Sequence, residues 1–227
     1  MSNKKNVLIT VAHTDDESFG CGGLIKKLNK KNYKIYAVSF TNGVGSRESS
    51  NDKAINTRLK AARKASKILG FKWIDNFDYP DNELDKIPLL SLIKKIEIIK
   101  KKINPSVIIT HNHSDLNIDH RKIFEATLTA FRPEPKTKVE KILTFEVPSS
   151  TDFRILKRQN NFVPNFYVNI EKHLKFKIKA IKCYKNEYKK PPHSRSLDGI
   201  KNLAKIRGNQ SGMKSAEAYE IIRNIMK

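Results

Sequence analysis

The stretch Val11-Ala-His-Thr-Asp-Asp-Glu-Ser-Phe-Gly20 decides the fold, because it places a histidine and three acids directly after the apolar run Val7-Leu8-Ile9. The apolar run predicts a buried strand, and the acids cannot continue it as core. An acid buried without a partner costs on the order of several kcal/mol, so these side chains must face water, a cation or a reacting group. If a helix begins at the Asp pair, His13 and Asp16 lie on one face and can reach a common metal ion.

A second cluster of the same kind follows another predicted strand. The segment Pro105-Ser-Val-Ile-Ile-Thr110 is β-branched and predicts a buried strand that leads into His111-Asn-His-Ser-Asp-Leu-Asn-Ile-Asp-His120. Four of the six histidines in the chain therefore follow two buried strands. Histidines that serve only packing would not be grouped in this way, so the two clusters indicate one shared site.

Apolar periodicity predicts strands that alternate with helices along the whole chain. The predicted strands are 7–12, 34–41, 73–78, 106–111 and 141–147, with a half-exposed strand at 165–170. The predicted helices are 18–29, 52–69, 88–103, 121–131, 170–188, 196–207 and 216–226. This order predicts an α/β fold, a single Rossmann-like domain over residues 1–227 with a mostly parallel sheet and helices on both faces. In the strand order 3-2-1-4-5, strands 1 and 4 are neighbours, so the site is expected at their carboxyl ends.

Composition narrows the class of protein. A chain of 227 residues can bury one good-sized core. No apolar run is long enough to span a bilayer, and the N-terminus leads into a strand and not into a signal sequence. Cys21 and Cys183 lack metal-motif spacing, which predicts reduced thiols and a cytoplasmic location.

The net charge of +22 comes mostly from lysines that are spread over the predicted helices. Arginine, the residue that binds phosphates in a forked geometry, supplies the minority of the positive charge. This distribution predicts solvated helix faces, and nucleic acid is not the expected partner.

The residues of the two clusters suit a catalytic zinc ion. Two imidazoles and one carboxylate leave a coordination position open, whereas a structural zinc site uses four protein ligands and usually cysteines. His13, Asp16 and one histidine of the second cluster can supply such a set. Asp15 is then free to accept a proton from an attacking water molecule.

A dinucleotide-binding loop is the competing interpretation, since Gly20, Gly22 and Gly23 follow the first strand. Three consecutive acids would repel a pyrophosphate, and the glycines come too late for the turn that such a loop requires. The dinucleotide interpretation is therefore set aside.

The two motifs together resemble a known enzyme family. Ala12-His-Thr-Asp-Asp-Glu17 resembles the A-H-P-D-D-E signature of the zinc-dependent de-N-acetylases called the LmbE-like or PIG-L family. Asp115-Leu-Asn-Ile-Asp-His-Arg121 resembles the second motif of that family, which ends in Asp-His. The resemblance covers nearly the whole chain and is greatest to a bacterial, sugar-modifying branch.

The resemblance implies a role for each residue of the motifs. His13, Asp16 and His120 would be the zinc ligands, and Asp15 would be the general base. Asp119 would sit beside the zinc as a supporting carboxylate that orients a histidine through its second ring nitrogen.

The chain departs from the family pattern in three places, and the first is Thr14, which replaces the usual proline. Many members carry a histidine where this chain has Asn117, which can donate a hydrogen bond but cannot transfer a proton. The role of the acid then falls to His113, His193 or the reprotonated Asp15. Ala61 stands where the family often has an acid.

Three arginines from separate segments are candidates for holding a substrate phosphate. Arg47, Arg58 and Arg195 could each lie near the carboxyl ends of the strands, and guanidinium groups match the geometry of phosphates. Asn117 and His193 complete the expected substrate-binding set.

The resulting hypothesis is a zinc-dependent hydrolase of amide C–N bonds that removes an N-acetyl or other N-acyl group from an amino sugar in a glycoconjugate or sugar precursor. Its partner would be an amino-sugar small molecule or a sugar-phosphate conjugate, and a homo-oligomer is left open. The alternatives are a non-catalytic, metal-containing sugar-binding protein on the same fold and, with less support, a nucleic-acid-binding protein.

Overall fold

The computed structural model describes residues 5–31, 33–45, 51–135, 137–154 and 161–226. The strands within these ranges are β1 (Asn6–Val11), β2 (Lys34–Thr41), β3 (Lys72–Tyr79), β4 (Val107–His111), β5 (Lys141–Phe145), β6 (Phe166–Asn169) and β7 (Ala216–Asn224). The α-helices are α1 (Asp16–Lys30), α2 (Asp52–Leu69), α3 (Leu89–Ile103), α4 (Ile118–Ala130), α5 (Leu174–Ile181) and α6 (Leu197–Asn209), and a 3-10 helix covers Leu84–Lys86.

The described strands form one sheet in the order β3-β2-β1-β4-β5-β7-β6. The first five are parallel, so the predicted α/β fold and the predicted order 3-2-1-4-5 are confirmed. The strand β7 runs antiparallel to both β5 and β6 and extends the sheet at one edge. Because β1 and β4 pair directly, from Val7 with Val107 to Thr10 with Thr110, the segments that follow them emerge side by side.

Alternating side chains of β1 divide the core into two layers. Val7, Ile9 and Val11 pack with apolar residues of α1, α2, α5 and α6. Leu8 and Ala12 pack on the opposite side with residues of α3 and α4. Helices therefore cover both faces of the sheet, as the near-continuous apolar strands predicted.

The prediction of a helix over residues 216–226 was wrong, because this segment forms β7. Its alanines and glutamates have good intrinsic helix propensity. The edge of β5, however, presents backbone N–H and C=O groups that only another strand can pair along their length. Pairing with β5, which lies far away in the sequence, therefore outweighs the helix propensity of this segment.

The predicted helix over residues 170–188 is also shorter than expected, since α5 ends at Ile181. Backbone hydrogen bonds from Cys183, Tyr184 and Glu187 then close successive turns instead of continuing the helix. These turns bring Glu187 to the arginine Arg58 of α2. The other predicted elements are present, with ends that differ by a few residues.

A buried carboxylate from the last strand holds the first helix in place. The helix α1 is interrupted at Cys21, where φ is −134° and ψ is 20°. The Glu217 carboxylate of β7 accepts hydrogen bonds from the Gly23 and Leu24 amides, both at 2.7 Å. It also pairs with the buried Lys177 ammonium of α5 at 2.7 Å. This junction positions the N-terminal part of α1 relative to the sheet.

In the described part of the chain, no helix combines the length and the apolar character that crossing a bilayer requires.

Candidate metal and catalytic site

The backbone turns sharply between the end of β1 and the start of α1. Asp15 adopts φ 137° and ψ −29°, a conformation that costs a residue with a side chain roughly 1–3 kcal/mol. Its amide donates to Glu17 Oε2 at 3.0 Å, which helps to hold the turn. Two consecutive acids thereby face different partners, since Asp15 pairs with Arg58 and Asp16 contacts His13.

Three buried ligand atoms converge on one point. His13 Nδ1 lies 3.2 Å from Asp16 Oδ2 and 3.2 Å from His120 Nε2. The third side of this triangle, from His120 Nε2 to Asp16 Oδ2, is 3.4 Å. Tetrahedral zinc with bonds of 2.0–2.1 Å requires ligand atoms about 3.3 Å apart, so the triangle fits one face of a zinc coordination shell.

A carboxylate faces the remaining ring nitrogen of each histidine. His13 Nε2 lies 3.0 Å from Asp81 Oδ1 and 3.3 Å from Asp119 Oδ2. His120 Nδ1 lies 3.1 Å from Asp115 Oδ2. Metal-ligating histidines almost always have such a partner, which fixes the ring orientation and raises the basicity of the ligand. This arrangement is a second feature that suits a bound cation.

These supporting carboxylates are themselves held by hydrogen bonds. Asp119 accepts from the amides of Asn82 at 2.7 Å and Leu84 at 2.9 Å. Asp115 accepts from the Thr151 hydroxyl at 2.8 Å. The orientation of the ligands thus depends on the loop after β3 and on the turn after β5.

His111, the last residue of β4, supports the cluster without belonging to the triangle. Its ring stacks on that of His120, with centroids 3.9 Å apart. Its Nε2 accepts a hydrogen bond from the Ala12 amide at 2.9 Å. Burial and the neighbouring His120 lower the pKa of His111 to about 4, so the ring is neutral near pH 7.

The carboxylates around the cluster favour positive charge on His13 and His120. Burial lowers the pKa of His120, but the Asp115 and Asp16 carboxylates outweigh it and raise the pKa to about 9. Burial also lowers the pKa of His13. Hydrogen bonds to Asp119 and Asp16 outweigh this effect, so the pKa of His13 lies well above its usual value. A divalent cation would displace these protons on binding.

Asp15 lies beside the triangle, and one of its carboxylate oxygens accepts no hydrogen bond from the described residues. Its Oδ1 accepts from Arg58 Nη2 at 2.7 Å, and its Oδ2 lies 3.5 Å from Arg195 Nη1. Oδ2 is buried and accepts no hydrogen bond from the residues that the structure describes. Burial raises the pKa of Asp15 to about 6, although the Arg58 cation partly opposes this shift. A carboxylate with this pKa and an oxygen that accepts no hydrogen bond can act as a general base near neutral pH.

The donors of Arg58 are engaged inside the protein. Nε donates to Thr14 Oγ1 at 3.1 Å, and Nη1 donates to Glu187 Oε1 at 2.6 Å, in addition to the bond with Asp15. The expected phosphate contact by Arg58 receives no support from this geometry, because the guanidinium already binds two carboxylates.

A cavity of about 220 Å³ opens above the triangle. Its wall includes His13, Asp15, His120, Asp81, Asn117 and Arg195. The wall is strongly polar, so the cavity suits a small ligand that is rich in hydroxyl and amide groups.

Asn117 lies in this wall and caps α4. Its Oδ1 accepts from the Asp119 amide at 2.8 Å, and its Nδ2 donates to Asn82 Oδ1 at 2.8 Å. The position that often carries a histidine therefore has a structural task here.

Two of the predicted residues lie away from the triangle, and a third cannot be placed. His113 does not line the cavity, because the chain turns after Asn112 and the His113 ring packs 5.7 Å from the Phe124 ring. His193 is not among the residues that line the cavity, and its Nδ1 accepts a hydrogen bond from the Arg195 amide at 3.0 Å. Arg47 lies outside the described residues.

The site also contains residues to which the sequence analysis assigned no role. Asp81 follows β3 at its carboxyl end, the same signal that identified the other acids. Asp115 stands within the second cluster, but nothing in the sequence indicates that it faces His120. Glu187 carries no sequence signal, since a continuous helix was predicted there.

Comparisons with known proteins identify the family of this chain. The PIG-L family, described as GlcNAc-PI de-N-acetylase, matches residues 8–131, more than half of the chain. A relative from Escherichia coli (strain K12), the uncharacterized deacetylase YaiS, is 28% identical over 191 residues, which is 82% of this chain and 93% of that protein. The diacetylchitobiose deacetylase of Thermococcus kodakarensis is 23% identical over 232 residues, 97% of this chain and 84% of that protein.

A solved structure shares the fold. The N,N'-diacetylchitobiose deacetylase from Pyrococcus horikoshii, complexed with its inhibitor MPG, superposes with a TM-score of 0.78 at 22% identity. The match covers 97% of this chain and 84% of that chain. The named relatives are deacetylases, that is, hydrolases that act on amide bonds, so the predicted enzyme class is confirmed.

Proposed function

Because the chain belongs to the PIG-L family of de-N-acetylases, we propose that it is a zinc-dependent hydrolase that removes an N-acetyl group from an amino sugar of a glycoconjugate or sugar precursor. The observation that carries this proposal is the triangle of ligand atoms next to the buried Asp15, one oxygen of which accepts no hydrogen bond from the described residues. The name of the Thermococcus kodakarensis relative supports an N-acetylated amino sugar as the substrate. A cytoplasmic location and a domain over residues 1–227 remain predictions.

His13, Asp16 and His120 would hold the zinc ion, with Asp81, Asp119 and Asp115 facing the remaining nitrogens of the histidines. When bound, zinc supplies Lewis-acid polarisation of the amide carbonyl and lowers the pKa of water toward ~7. The spacing of the ligand atoms suits the preferred geometry of zinc, and it is the chemical basis for naming this ion.

Asp15 takes both proton-transfer roles in this proposal. With a pKa of about 6 it is mostly ionised at pH 7 and can accept the proton of the attacking water. Once protonated, it donates that proton to the nitrogen of the leaving amine as the C–N bond breaks. Asn117 cannot transfer a proton, and His113 lies outside the cavity. Because Asp15 returns the proton that it accepted, this route needs neither of them as an acid. The products are acetate and the free amino sugar.

Arg195 is the arginine that we assign to substrate binding. It lies in the cavity wall, its Nε donates to the Pro148 carbonyl at 3.0 Å, and its guanidinium lies 4.6 Å from the centroid of the Phe19 ring. These contacts hold the guanidinium at the wall while Nη1 faces Asp15. Asn117 contributes to the same wall, His193 contacts the Arg195 amide, and Arg47 stays a candidate from the sequence.

The test is acetate release from N-acetylglucosamine and N,N'-diacetylchitobiose by the zinc-loaded protein. We expect turnover that chelation abolishes and zinc restores. The matched control is Asp15→Asn, which should bind zinc and release acetate at least ~10²-fold more slowly. A zinc-loaded protein that is inert toward a broad panel of acylated sugars would overturn the hydrolase proposal. Sugar binding without turnover in that panel would favour a metal-containing binding protein.

A further inference from the structure

Glu187 is a buried acid in the wall of the catalytic cavity, and the proposed reaction gives it no role. It lies in the turns that follow α5. Its Oε1 accepts a hydrogen bond from Arg58 Nη1 at 2.6 Å, and its Oε2 lies 3.9 Å from Arg195 Nη1. Glu187 therefore faces both of the arginines that also flank the base Asp15.

Arg58 divides its hydrogen-bond donors between two carboxylates. Its terminal nitrogens Nη1 and Nη2 donate to Glu187 Oε1 at 2.6 Å and to Asp15 Oδ1 at 2.7 Å, and its Nε donates to Thr14 Oγ1 at 3.1 Å. An arginine and a carboxylate that meet frequently pair through two parallel hydrogen bonds. Arg58 instead makes a single hydrogen bond to Asp15, because its other terminal nitrogen is bound to Glu187.

The second carboxylate oxygen of Asp15 is the one that can accept the proton of the attacking water. This Oδ2 is buried, accepts no hydrogen bond from the described residues and lies 3.5 Å from Arg195 Nη1. A general base must lie within hydrogen-bond reach of the proton that it accepts. If Arg58 donated to both oxygens of Asp15, the guanidinium would hold Oδ2 and compete with the water for it.

We propose that Glu187 is a positioning residue, which binds one terminal nitrogen of Arg58 and thereby keeps Oδ2 of Asp15 available to the attacking water. Glu187 acts through Arg58 and does not itself transfer a proton. Its Oε2 faces Arg195, so the same carboxylate also attracts the second guanidinium. Two cations and two carboxylates thus meet in one buried cluster, and removal of Glu187 leaves Asp15 to pair with both cations.

This inference rests on the proposed function, and its first test compares two substitutions of Glu187 in the zinc-loaded protein. Glu187→Ala should lower kcat for acetate release from N-acetylglucosamine by about 10–100-fold, part of the roughly 10²–10⁴-fold that a positioned base contributes. Its KM and zinc content should be unchanged. Glu187→Gln should retain most of the wild-type kcat, because its amide oxygen still accepts from Arg58. The matched control is Glu171→Ala, which breaks the exposed pair with Lys214 (3.1 Å) and should change none of these values.

A double variant tests whether Glu187 acts through Arg58. Arg58→Met removes the guanidinium that Glu187 binds, so Glu187→Ala should lower kcat far less in that background than in the wild-type protein. An equal loss in both backgrounds would overturn the proposal, because the effect would not pass through Arg58. A higher KM at an unchanged kcat would also overturn it, since Glu187 would then contact the substrate itself.

A crystal structure of the zinc-loaded Glu187→Ala variant tests the geometry without any turnover. We expect Arg58 to donate to both carboxylate oxygens of Asp15. An Arg58 that keeps its single hydrogen bond to Oδ1 would refute the proposal. If the wild-type protein is inert toward acylated sugars, the proposed function fails, and the position of Arg58 in this structure alone decides the role of Glu187.

A shorter acid replaces alanine if Glu187→Ala does not fold. Glu187→Asp keeps the negative charge but is one methylene shorter, so its carboxylate should no longer reach Arg58. We expect Glu187→Asp to lose more kcat than Glu187→Gln, which lacks the charge but has the original length. The reverse order would show that charge and not reach is what matters, and it would contradict the positioning role.

Discussion

Replacing Glu217 should destabilise the fold more than replacing any exposed charged residue. Its carboxylate accepts four hydrogen bonds at 2.7 Å, from the Gly23 and Leu24 amides, the Tyr219 hydroxyl and the Lys177 ammonium. In Glu217→Ala the Lys177 charge, which is only 6% exposed, loses its partner. Breaking a buried ion pair from one side costs roughly 3–5 kcal/mol, and each amide left without a partner adds about 1–3 kcal/mol in a non-additive way.

We therefore expect Glu217→Ala to lower the free energy of unfolding by about 4 kcal/mol or more, a large part of the roughly 5–15 kcal/mol that holds a typical domain together. Urea denaturation at pH 7.5, followed by circular dichroism, would measure it from the shift in the midpoint at an unchanged slope.

A double variant tests the reason for this loss. Lys177→Met combined with Glu217→Ala removes the unpaired charge and should recover about 0.5–3 kcal/mol relative to Glu217→Ala alone. The matched control is Lys201→Ala, which breaks the exposed pair with Asp198 (3.0 Å) and should cost less than about 1 kcal/mol. A loss below 1 kcal/mol in Glu217→Ala by the same assay, or a double variant less stable than the single one, would refute the reasoning.

The remaining predictions concern the metal and the base. His120→Ala should lose most bound zinc on dialysis, whereas Asp15→Asn should keep it and turn over at least ~10²-fold more slowly; equal metal contents in the two would contradict the division of roles. Asp115→Asn should weaken zinc binding by about 10–100-fold in a chelator competition, because His120 loses its orienting carboxylate, and unchanged affinity would exclude that role. The kcat/KM should rise with pH through about 6 as Asp15 ionises. Because Arg58 lowers the pKa of Asp15, Arg58→Met should move this limb to higher pH, and a limb that moves to lower pH would refute the assignment.

The parallel part of the fold could be predicted because its signals are local. Strands that are buried on both faces consist of apolar runs, and the helices between them carry a helical period. The order 3-2-1-4-5 then follows from the common topology of such chains, and it places the segments with His13 and His120 next to each other. Asp16 was identified for the same reason, since a charged group directly after a buried strand has few roles other than a site.

Only the tertiary structure decided the residues whose role depends on a distant partner. Residues 216–224 form a strand because β5 offers an edge to pair with, although their alanines and glutamates favour a helix. Glu187 reaches Arg58 because α5 ends early, and His113 leaves the site because the chain turns after Asn112. Local sequence encodes the conformational preferences of a segment, but packing and hydrogen bonding between segments far apart in the chain determine which preference is realised. The two histidine–aspartate clusters could be recognised from local sequence. The network around Asp15 could not, because it depends on contacts between segments that are far apart in the chain.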